Sequence, residues 1–286
     1  MMDLQHVSSR ELKGQELKEY TKRKIIYESL SPEEVAQLDK DGKVDCWIMA
    51  LPNGVCKPYV DALGQSSSLV VDLSADYRFE ENSPWTYGLC ELQPRSKLAL
   101  SNRISCPGCY ATGAQLALAP ILDHLGGSPQ VFGVSGYSGA GTKPSPKNDV
   151  ENLKDNLLPC HIHEREMSHH LGTPSAFMPH VASWFRGIHL TVSIPLNKKM
   201  PSREIRQIYQ ERYAGEKLVK VVGESPVVKR IQGQHHVEIG GFDVDSTGKR
   251  VVVCATIDNL NKGAATQCLQ NMNLALGYDE YQGIPI

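Results

Sequence analysis

Ser105-Cys106-Pro107-Gly108-Cys109-Tyr110-Ala111-Thr112-Gly113 is followed at once by an apolar run, Ala114 to Leu122. Pro107 and Gly108 read as a tight turn, and the small residues after them as a helix that starts at or just after Cys109. A cysteine at that point sits at the positive end of a helix. Orphan backbone N–H groups and the macrodipole there favour the thiolate. The same N–H groups can hold the oxyanion formed when a thiolate attacks a carbonyl. The plainer alternative is a small buried hydrophobe, the usual fate of a free cysteine.

The surrounding chain sets bounds on this reading. Its 286 residues are enough for two modest cores, and two domains are expected. A net charge of −2 offers no electrostatic case for nucleic acid or an anionic membrane. No apolar run approaches the length of a bilayer span. Met1 to Arg10 is polar and lacks the apolar centre of a signal peptide. Eight cysteines in a chain this long, without dense pairing, suggest free thiols in a reducing compartment.

Outward from the turn, the first part reads as alternating strands and helices. His6 to Arg10 looks like a strand end and its loop. Ser31-Pro32-Glu33-Glu34 is a helix start, with Ser31 as N-cap, Pro32 at the first helical position and Glu34 closing a capping box. That helix runs to about Asp39. Val44 to Leu51 reads as an apolar strand ended by Pro52-Asn53-Gly54, Val55 to Leu63 as a helix, and Leu69 to Leu73 and Lys97 to Ser101 as further strands. Such alternation predicts an α/β fold with a parallel sheet and ligands at the strands' carboxyl ends. In the second part Val131 to Ser135, His189 to Pro195, Val219 to Val222, His236 to Val244 and Arg250 to Ile257 read as strands, and Ser202 to about Tyr213 as a helix. Their clustering predicts an α+β unit on a mixed or antiparallel sheet. Lys262 to Leu276 reads as a final helix that packs back onto the first unit.

The motifs in this order resemble the N-acetyl-γ-glutamyl-phosphate reductases, in the style of the fungal branch. The resemblance is carried by Val7-Ser8-Ser9-Arg10-Glu11, Leu51-Pro52-Asn53-Gly54, Asp72-Leu73-Ser74-Ala75-Asp76-Tyr77-Arg78, Pro107 to Thr112, Ser135 to Gly141, His161 to Glu166, Phe177 to His180 and Asn259 to Ala265. It implies an incomplete Rossmann-like, doubly wound NADP domain over residues 1–108, completed by a C-terminal helix in 258–286. A catalytic and dimerisation domain of α+β type would span 109–257. The family opens with a strand, a glycine-rich turn and a helix that bind the pyrophosphate. No such turn precedes Ser8, so the chain resembles a reductase lacking that unit at its amino terminus.

The implied reaction suits the local chemistry. The Cys109 thiolate would attack the acyl phosphate, expel phosphate and form a thioester, which NADPH would reduce to the semialdehyde. Cysteine fits as a strong nucleophile and good leaving group. His163 would be the acid–base partner, by its match to the second histidine of the family's His-x-His motif, with His161 as its rival. Read as a strand, His161 and His163 share one face as a metal site can require, with His169-His170 or His235-His236 as further ligands. No zinc-like spacing completes such a set, and most of the ten histidines are read as structural. Cys106-Pro107-Gly108-Cys109 also matches the Cys-x-x-Cys of dithiol redox sites. Members of the family carry Asn where this chain has Cys106, so a reversible Cys106–Cys109 disulfide that silences the enzyme is a further expectation.

For the cofactor, Ser8, Ser9 and Arg10 resemble the segment that receives the adenosine 2′-phosphate of NADP, with hydroxyls and a guanidinium suited to a phosphate. Pro52 would line the nicotinamide crevice. Ser138, Gly139, Ala140 and Gly141 resemble a loop that lets backbone approach the cofactor. Gly136 to Gly141 is not a Rossmann fingerprint, because Lys143-Pro144-Ser145-Pro146 follows it instead of a helix. Asn259 would reach the nicotinamide carboxamide or else cap a helix. The resemblance further implies a small-molecule substrate, a homo-oligomer, association with an acetylglutamate kinase, and a mitochondrial setting. Without that resemblance, cytoplasm is the expectation. Two other classes stand beside the reductase: a non-catalytic relative that binds substrate or a partner chain but not NADP, and a thiol redox protein using Cys106 and Cys109.

Overall fold

The structure is a computed structural model that describes residues 2–80, 84–139, 154–155 and 161–286, with the backbone alone at 154–155. Its first unit is a four-stranded parallel sheet. The helix α1 (Pro32–Lys40) begins as its sequence dictates, with a reciprocal capping box between Ser31 and Glu34. It leads to β1 (Cys46–Met49), α2 (Lys57–Leu63) and β2 (Leu69–Asp72), then β3 (Thr86–Tyr87), α3 (Arg95–Ala99) and β4 (Arg103–Ser105). The strand order is β1-β2-β4-β3.

Two readings of this unit are corrected. Lys97 to Ser101 is not a strand: α3 runs from Pro94 as N-cap, burying Leu98 and leaving Leu100 exposed, so one face of a helical turn is apolar. The strand is the next segment, where buried Arg103 satisfies its guanidinium on the carbonyls of Gly64, Ser66, Ser68 and Asn102. Three of those carbonyls lie 35 to 39 residues away in the chain, so a charged strand residue gave no signal of burial. His6 to Arg10 contributes an isolated bridge, Ser8 to Glu28, instead of a strand.

The second unit begins at α4 (Cys109–Leu118), which gives way to a 3-10 turn over Ala119–His124. Pro120, which cannot donate a backbone hydrogen bond, lies in that turn's first positions. After it come β5 (Gln130–Gly136), β6 (Lys154–Asp155), α5 (Ile162–Leu171), β7 (Ala176–Ala182) and β8 (Ile188–Pro195). The helix α6 (Ser202–Arg212), β9 (Val219–Val221), α7 (Val228–Ile231), β10 (Val237–Val244) and β11 (Arg250–Ile257) complete it. The seven-stranded sheet has order β6-β7-β5-β8-β11-β10-β9 and is mixed, as its strand clustering predicts. The chain then forms a π-helical turn, Asn261–Ala265, and the helix α8 (Thr266–Ala275), where the sequence predicts one continuous helix from Lys262.

The helix α4 is the centre of the molecule. Every residue from Tyr110 to Leu118 is buried, because α4 lies between the large sheet, α5 and the π-helical turn. The α6 hydroxyls of Tyr209 and Tyr213 donate to the carbonyls of Ala117 and Leu116 and hold its far end. The helix α8 crosses to the first sheet, where Cys268 joins Leu69, Val71, Leu98 and Ile104 in a core. Among the described residues, no helix is long and apolar enough to cross a membrane.

At its near end α4 rests on Gly133 of β5. A Cβ there would lie 2.5 Å from Cε1 and 2.9 Å from Cδ1 of the Tyr110 ring. Gly133→Ala should therefore displace the first turn of α4 and destabilise the protein by about 1–3 kcal/mol. Urea unfolding measures this directly; an unchanged midpoint would mean that the ring has room to move.

Candidate active site

Gly108 is the N-cap of α4, with extended backbone and no side-chain cap, and Cys109 is the first helical residue. The turn before it is pinned at each peptide. The amide of Cys106 donates to the Asp72 carbonyl at 2.7 Å, and Arg78 Nε donates to the Cys106 carbonyl at 2.8 Å. The amide of Gly108 donates to Glu166 Oε1 at 2.9 Å.

Glu166 is fully buried and gathers three donors. Besides the Gly108 amide, it pairs with Arg78 Nη1 at 3.1 Å and accepts from the Tyr87 hydroxyl at 2.8 Å. Gln115 of α4 donates to that hydroxyl in turn, and His170 stacks on the Tyr87 ring with centroids 3.5 Å apart. Burial holds the His170 imidazole down at about 4, so it is neutral at neutral pH, and its Nε2 lies 2.8 Å from the Arg78 carbonyl. Arg78, Glu166 and Tyr87 had no role in the sequence reading. Their signal was present, since Arg78 and Glu166 lie inside two of the motifs, but a buried carboxylate partner 88 residues away is visible only in three dimensions.

His161 and His163 do not lie on a strand. His161 is the N-cap of α5, and its Nδ1 accepts from the His163 amide at 3.2 Å. His163 falls in the first turn of α5 and its ring fills the space over Gly108. A Cβ at residue 108 would stand 2.2 Å from His163 Nε2 and 2.9 Å from Arg78 Nη1. Burial, with Arg78 and His161 nearby, holds the His163 imidazole well below its ordinary value. It is therefore a neutral ring beside the Pro107-Gly108 turn, with Nδ1 sealed from solvent and unpartnered among the described residues. No group of three His, Cys, Asp or Glu side chains among the described residues could hold a metal ion.

Cys109 behaves differently from its sequence expectation. Burial pushes the thiol up to about 11. The amides of Tyr110 and Cys109 and the Arg78 guanidinium pull it down, while Glu166 adds to the rise. Helix-terminal stabilisation is present but desolvation outweighs it. Cys106 faces the other way, buried in the core with Cys268 and Ile104 and in contact with Asn271. Cys109 packs against the core of the large sheet instead. The cysteines of the described residues are all free.

The cofactor residues fall in separate places. Pro52 is exposed just past β1, on a loop joined to the loop after β2: Asn53 accepts from the Ala75 amide and Asp76 from the Gly54 amide. Ser8 accepts from the Leu30 amide and Ser9 from the Leu12 amide, which shapes the turn around Arg10. Arg10 is exposed and makes no ion pair or hydrogen bond among the described residues. Asn259 is buried, donates to the Ser138 hydroxyl at 2.9 Å and accepts from the Gly187 amide at 2.7 Å. It thus fastens the Ser138-Gly139 turn to the end of β11. Gly141 and Ala140 lie outside the described residues.

Comparison with known proteins agrees with this architecture. Residues 1–100 match the semialdehyde dehydrogenase NAD binding domain, and residues 109–259 the semialdehyde dehydrogenase dimerisation domain. Over 99% of its length the chain is 66% identical to "Protein arg-6, mitochondrial" of Neurospora crassa and 60% identical to "Protein arg11, mitochondrial" of Schizosaccharomyces pombe. It spans 34% and 32% of those two proteins. It is 51% identical to the N-acetyl-gamma-glutamyl-phosphate reductase of Stenotrophomonas maltophilia, over 99% of this chain and 90% of that protein. Aspartate semialdehyde dehydrogenase II of Vibrio cholerae shares the fold, with a TM-score of 0.76 at 15% identity over 95% of this chain and 89% of that one.

Glu166→Gln should expose the electrostatic balance at Cys109. It removes the charge that raises the Cys109 thiol and leaves the Arg78 charge that lowers it, so the thiol should ionise below its native value of about 11. One amide N–H would also face a donor, with a loss of about 1.5–3 kcal/mol of stability. The rate of iodoacetamide alkylation at Cys109 against pH, read by peptide mass, reports the first effect. An unmoved midpoint in a folded variant contradicts it.

Proposed function

Because this chain belongs to the N-acetyl-gamma-glutamyl-phosphate reductase family, we propose that it is an NADP-dependent reductase of arginine biosynthesis. It converts N-acetyl-γ-glutamyl phosphate to N-acetylglutamate semialdehyde through a thioester on Cys109. The observation that carries this reading is the pairing of Cys109, first residue of a buried helix, with a neutral His163 packed over the preceding Gly108.

The raised thiol gives the two residues distinct tasks. At neutral pH Cys109 holds its proton, and His163 is in the form that can accept one. Attack on the acyl phosphate then forms the C–S bond, breaks the C–O bond to phosphate and leaves the thiol proton on the imidazole. The amides of Cys109 and Tyr110 and the Arg78 guanidinium favour negative charge at this turn. When the thiohemiacetal collapses, the sulfur leaves as a thiolate that the same groups favour. Glu166 keeps Arg78 and the Gly108 amide in place throughout.

The residues present fit NADP where this chain can be tested. The exposed, unpaired Arg10 guanidinium suits a 2′-phosphate, and exposed Pro52 stands at the carboxyl end of a parallel strand, where such sheets take ligands. NADPH, when bound, supplies the hydride. Ser9 would share the 2′-phosphate with Arg10, while Ser138, Gly139 and Asn259 would form the wall on the catalytic side, with Asn259 acting through the Ser138 turn that it fastens; Gly141, implied by the resemblance, lies outside the described residues. Residues 1–108 with 258–286 would form the cofactor unit, and 109–257 the catalytic and dimerisation unit. A homo-oligomer follows from the dimerisation domain. The fungal relatives, named as mitochondrial, support a mitochondrial setting, and association with an acetylglutamate kinase is what the family resemblance implies. The dithiol reading has little support, because Cys106 is committed to the opposite core.

Phosphate-dependent oxidation of N-acetylglutamate semialdehyde with NADP is the direct assay. Cys109→Ser should abolish it, since a serine hydroxyl is far less ionised at neutral pH, and Cys106→Ser should leave most of it. If the Cys106 change were the lethal one, the nucleophile is misassigned. Arg10→Ala should weaken NADP about ten-fold to more than a hundred-fold, as loss of a charge-assisted pair would, and spare NAD. Equal weakening of the two cofactors in binding titrations removes Arg10 from the phosphate site.

A further inference from the structure

Lys262 is the second residue of the π-helical turn Asn261–Ala265 and has no exposed surface. Its ammonium donates to Glu91 Oε1 at 2.6 Å, Gln267 Oε1 at 2.6 Å and Gln270 Oε1 at 2.7 Å. Glu91 is equally buried and lies in the segment after β3. Burial raises its carboxyl, but the Lys262 charge together with hydrogen bonds from Lys262, Gln270 and its own backbone outweighs this and holds it below its ordinary value, so Glu91 is ionised. The Glu91 carbonyl accepts from Arg212 of α6, and Gln270 also donates to Glu280. One buried pair therefore joins the segment after β3, the π-helical turn, α8 and α6.

A fully buried ion pair is a poor source of stability, because desolvation of both ions offsets their attraction. Its use is to fix position, and the next residue shows what is positioned. Gly263 lies against the nucleophile: a Cβ there would be 2.7 Å from Cys109 Cβ and 3.3 Å from Cys109 Cα. The turn itself is wide, with the Gly263 amide bonded to the Asp258 carbonyl and the Ala265 amide to the Leu260 carbonyl, five residues back in each case. Asp258 holds its start by accepting from the Leu260 and Asn261 amides and pairing with Arg186. Such π turns inside helices are frequent at functional sites. Here the π register puts a residue without a side chain on Cys109 while the Lys262 side chain is held by Glu91.

We propose that Lys262, with Glu91, is a positioning residue for Cys109. The buried pair sets how closely the Gly263 backbone presses on the nucleophile, and so couples the docking of α8 and the first unit to the geometry of the thiol. The inference rests on Cys109 being the nucleophile but not on the identity of the substrate.

The test replaces both charges together, Lys262→Gln with Glu91→Gln, so that no lone buried charge remains and hydrogen bonding can persist. Three quantities are measured: thermal unfolding, the iodoacetamide alkylation rate of Cys109, and kcat and KM in the reductase assay. The alkylation rate needs no substrate, so it reports on this proposal even if the proposed reaction is wrong. The expected result is a folded protein whose alkylation rate differs from wild type by about ten-fold or more, with kcat lowered up to about a hundred-fold and KM little changed, as misplacement of a reacting group by about 1 Å would cause. A folded double variant with wild-type alkylation and kcat overturns the proposal. Gly263→Ala guards against a double variant that fails to fold. It keeps the ion pair and adds one methyl against Cys109, so it should change the alkylation rate as well. If Gly263→Ala leaves that rate unchanged, the turn does not set the nucleophile and the proposal fails.

Discussion

The Glu166 carboxylate is the interaction on which the site depends. It is buried on α5 and collects the Gly108 amide, the Arg78 guanidinium and the Tyr87 hydroxyl. These come from the nucleophile turn, the loop after β2 and the strand β3. A buried carboxylate without partners would be very costly, so the segments must arrive together for the fold to close. Once they have, the turn before Cys109 has little freedom, and α5 necessarily brings His163 over Gly108. Cys109 and His163 are thus positioned by one ionic centre whose hydrogen bonds go to Gly108, Arg78 and Tyr87 and to neither of the two.

A second buried pair, Lys262 with Glu91, reaches the start of the same helix through the neighbouring Gly263. The two pairs share a logic. Each joins residues far apart in the chain, and each fixes one backbone segment next to Cys109: Gly108 in the first case, Gly263 in the second. Both segments are glycine because something already occupies the place of a side chain, the His163 ring at one and Cys109 itself at the other. Apolar packing and the tyrosine hydroxyls at its far end hold α4 along its length, while ionic pairs and hydrogen bonds define the end that carries Cys109.

The elevated Cys109 thiol changes how the chemistry is read. A helix N-terminus lowers a thiol in the open, but here burial is the larger effect. Keeping the thiol protonated protects a reactive cysteine from adventitious alkylation and oxidation, since the thiolate is the reactive species. In the proposed reaction the thiol proton must then pass to a base as the C–S bond forms, the task proposed for the neutral His163. The cofactor side contrasts with this. Arg10 and Pro52 are exposed on loops at the sheet's rim, suited to a ligand that comes and goes.

Much of the architecture was legible from local signals. The Ser31 capping box, the apolar strands β1 and β2 and the alternation along β8 each need only neighbouring residues to be read. The Pro107-Gly108 turn likewise marks the start of α4 with Cys109 as its first residue, because a turn followed by small and apolar residues has few other outcomes. The motifs also made the family recognisable. What escaped had non-local causes. Nothing beside Arg103 in the chain announces the carbonyls of Gly64, Ser66 and Ser68 that take up its guanidinium, and Lys97 to Ser101 reads as a strand until one face of it is seen to be buried. The thiol's ionisation depends on desolvation by residues across the fold. The roles of Glu166, Arg78 and Lys262 depend on partners from about 80 to 170 residues away, and no local pattern encodes such a meeting. The sequence by itself determined that Cys109 opens a helix after a Pro-Gly turn; only the tertiary structure decided the charge state of its thiol and its surroundings, because electrostatics in a buried site is a property of everything packed around it.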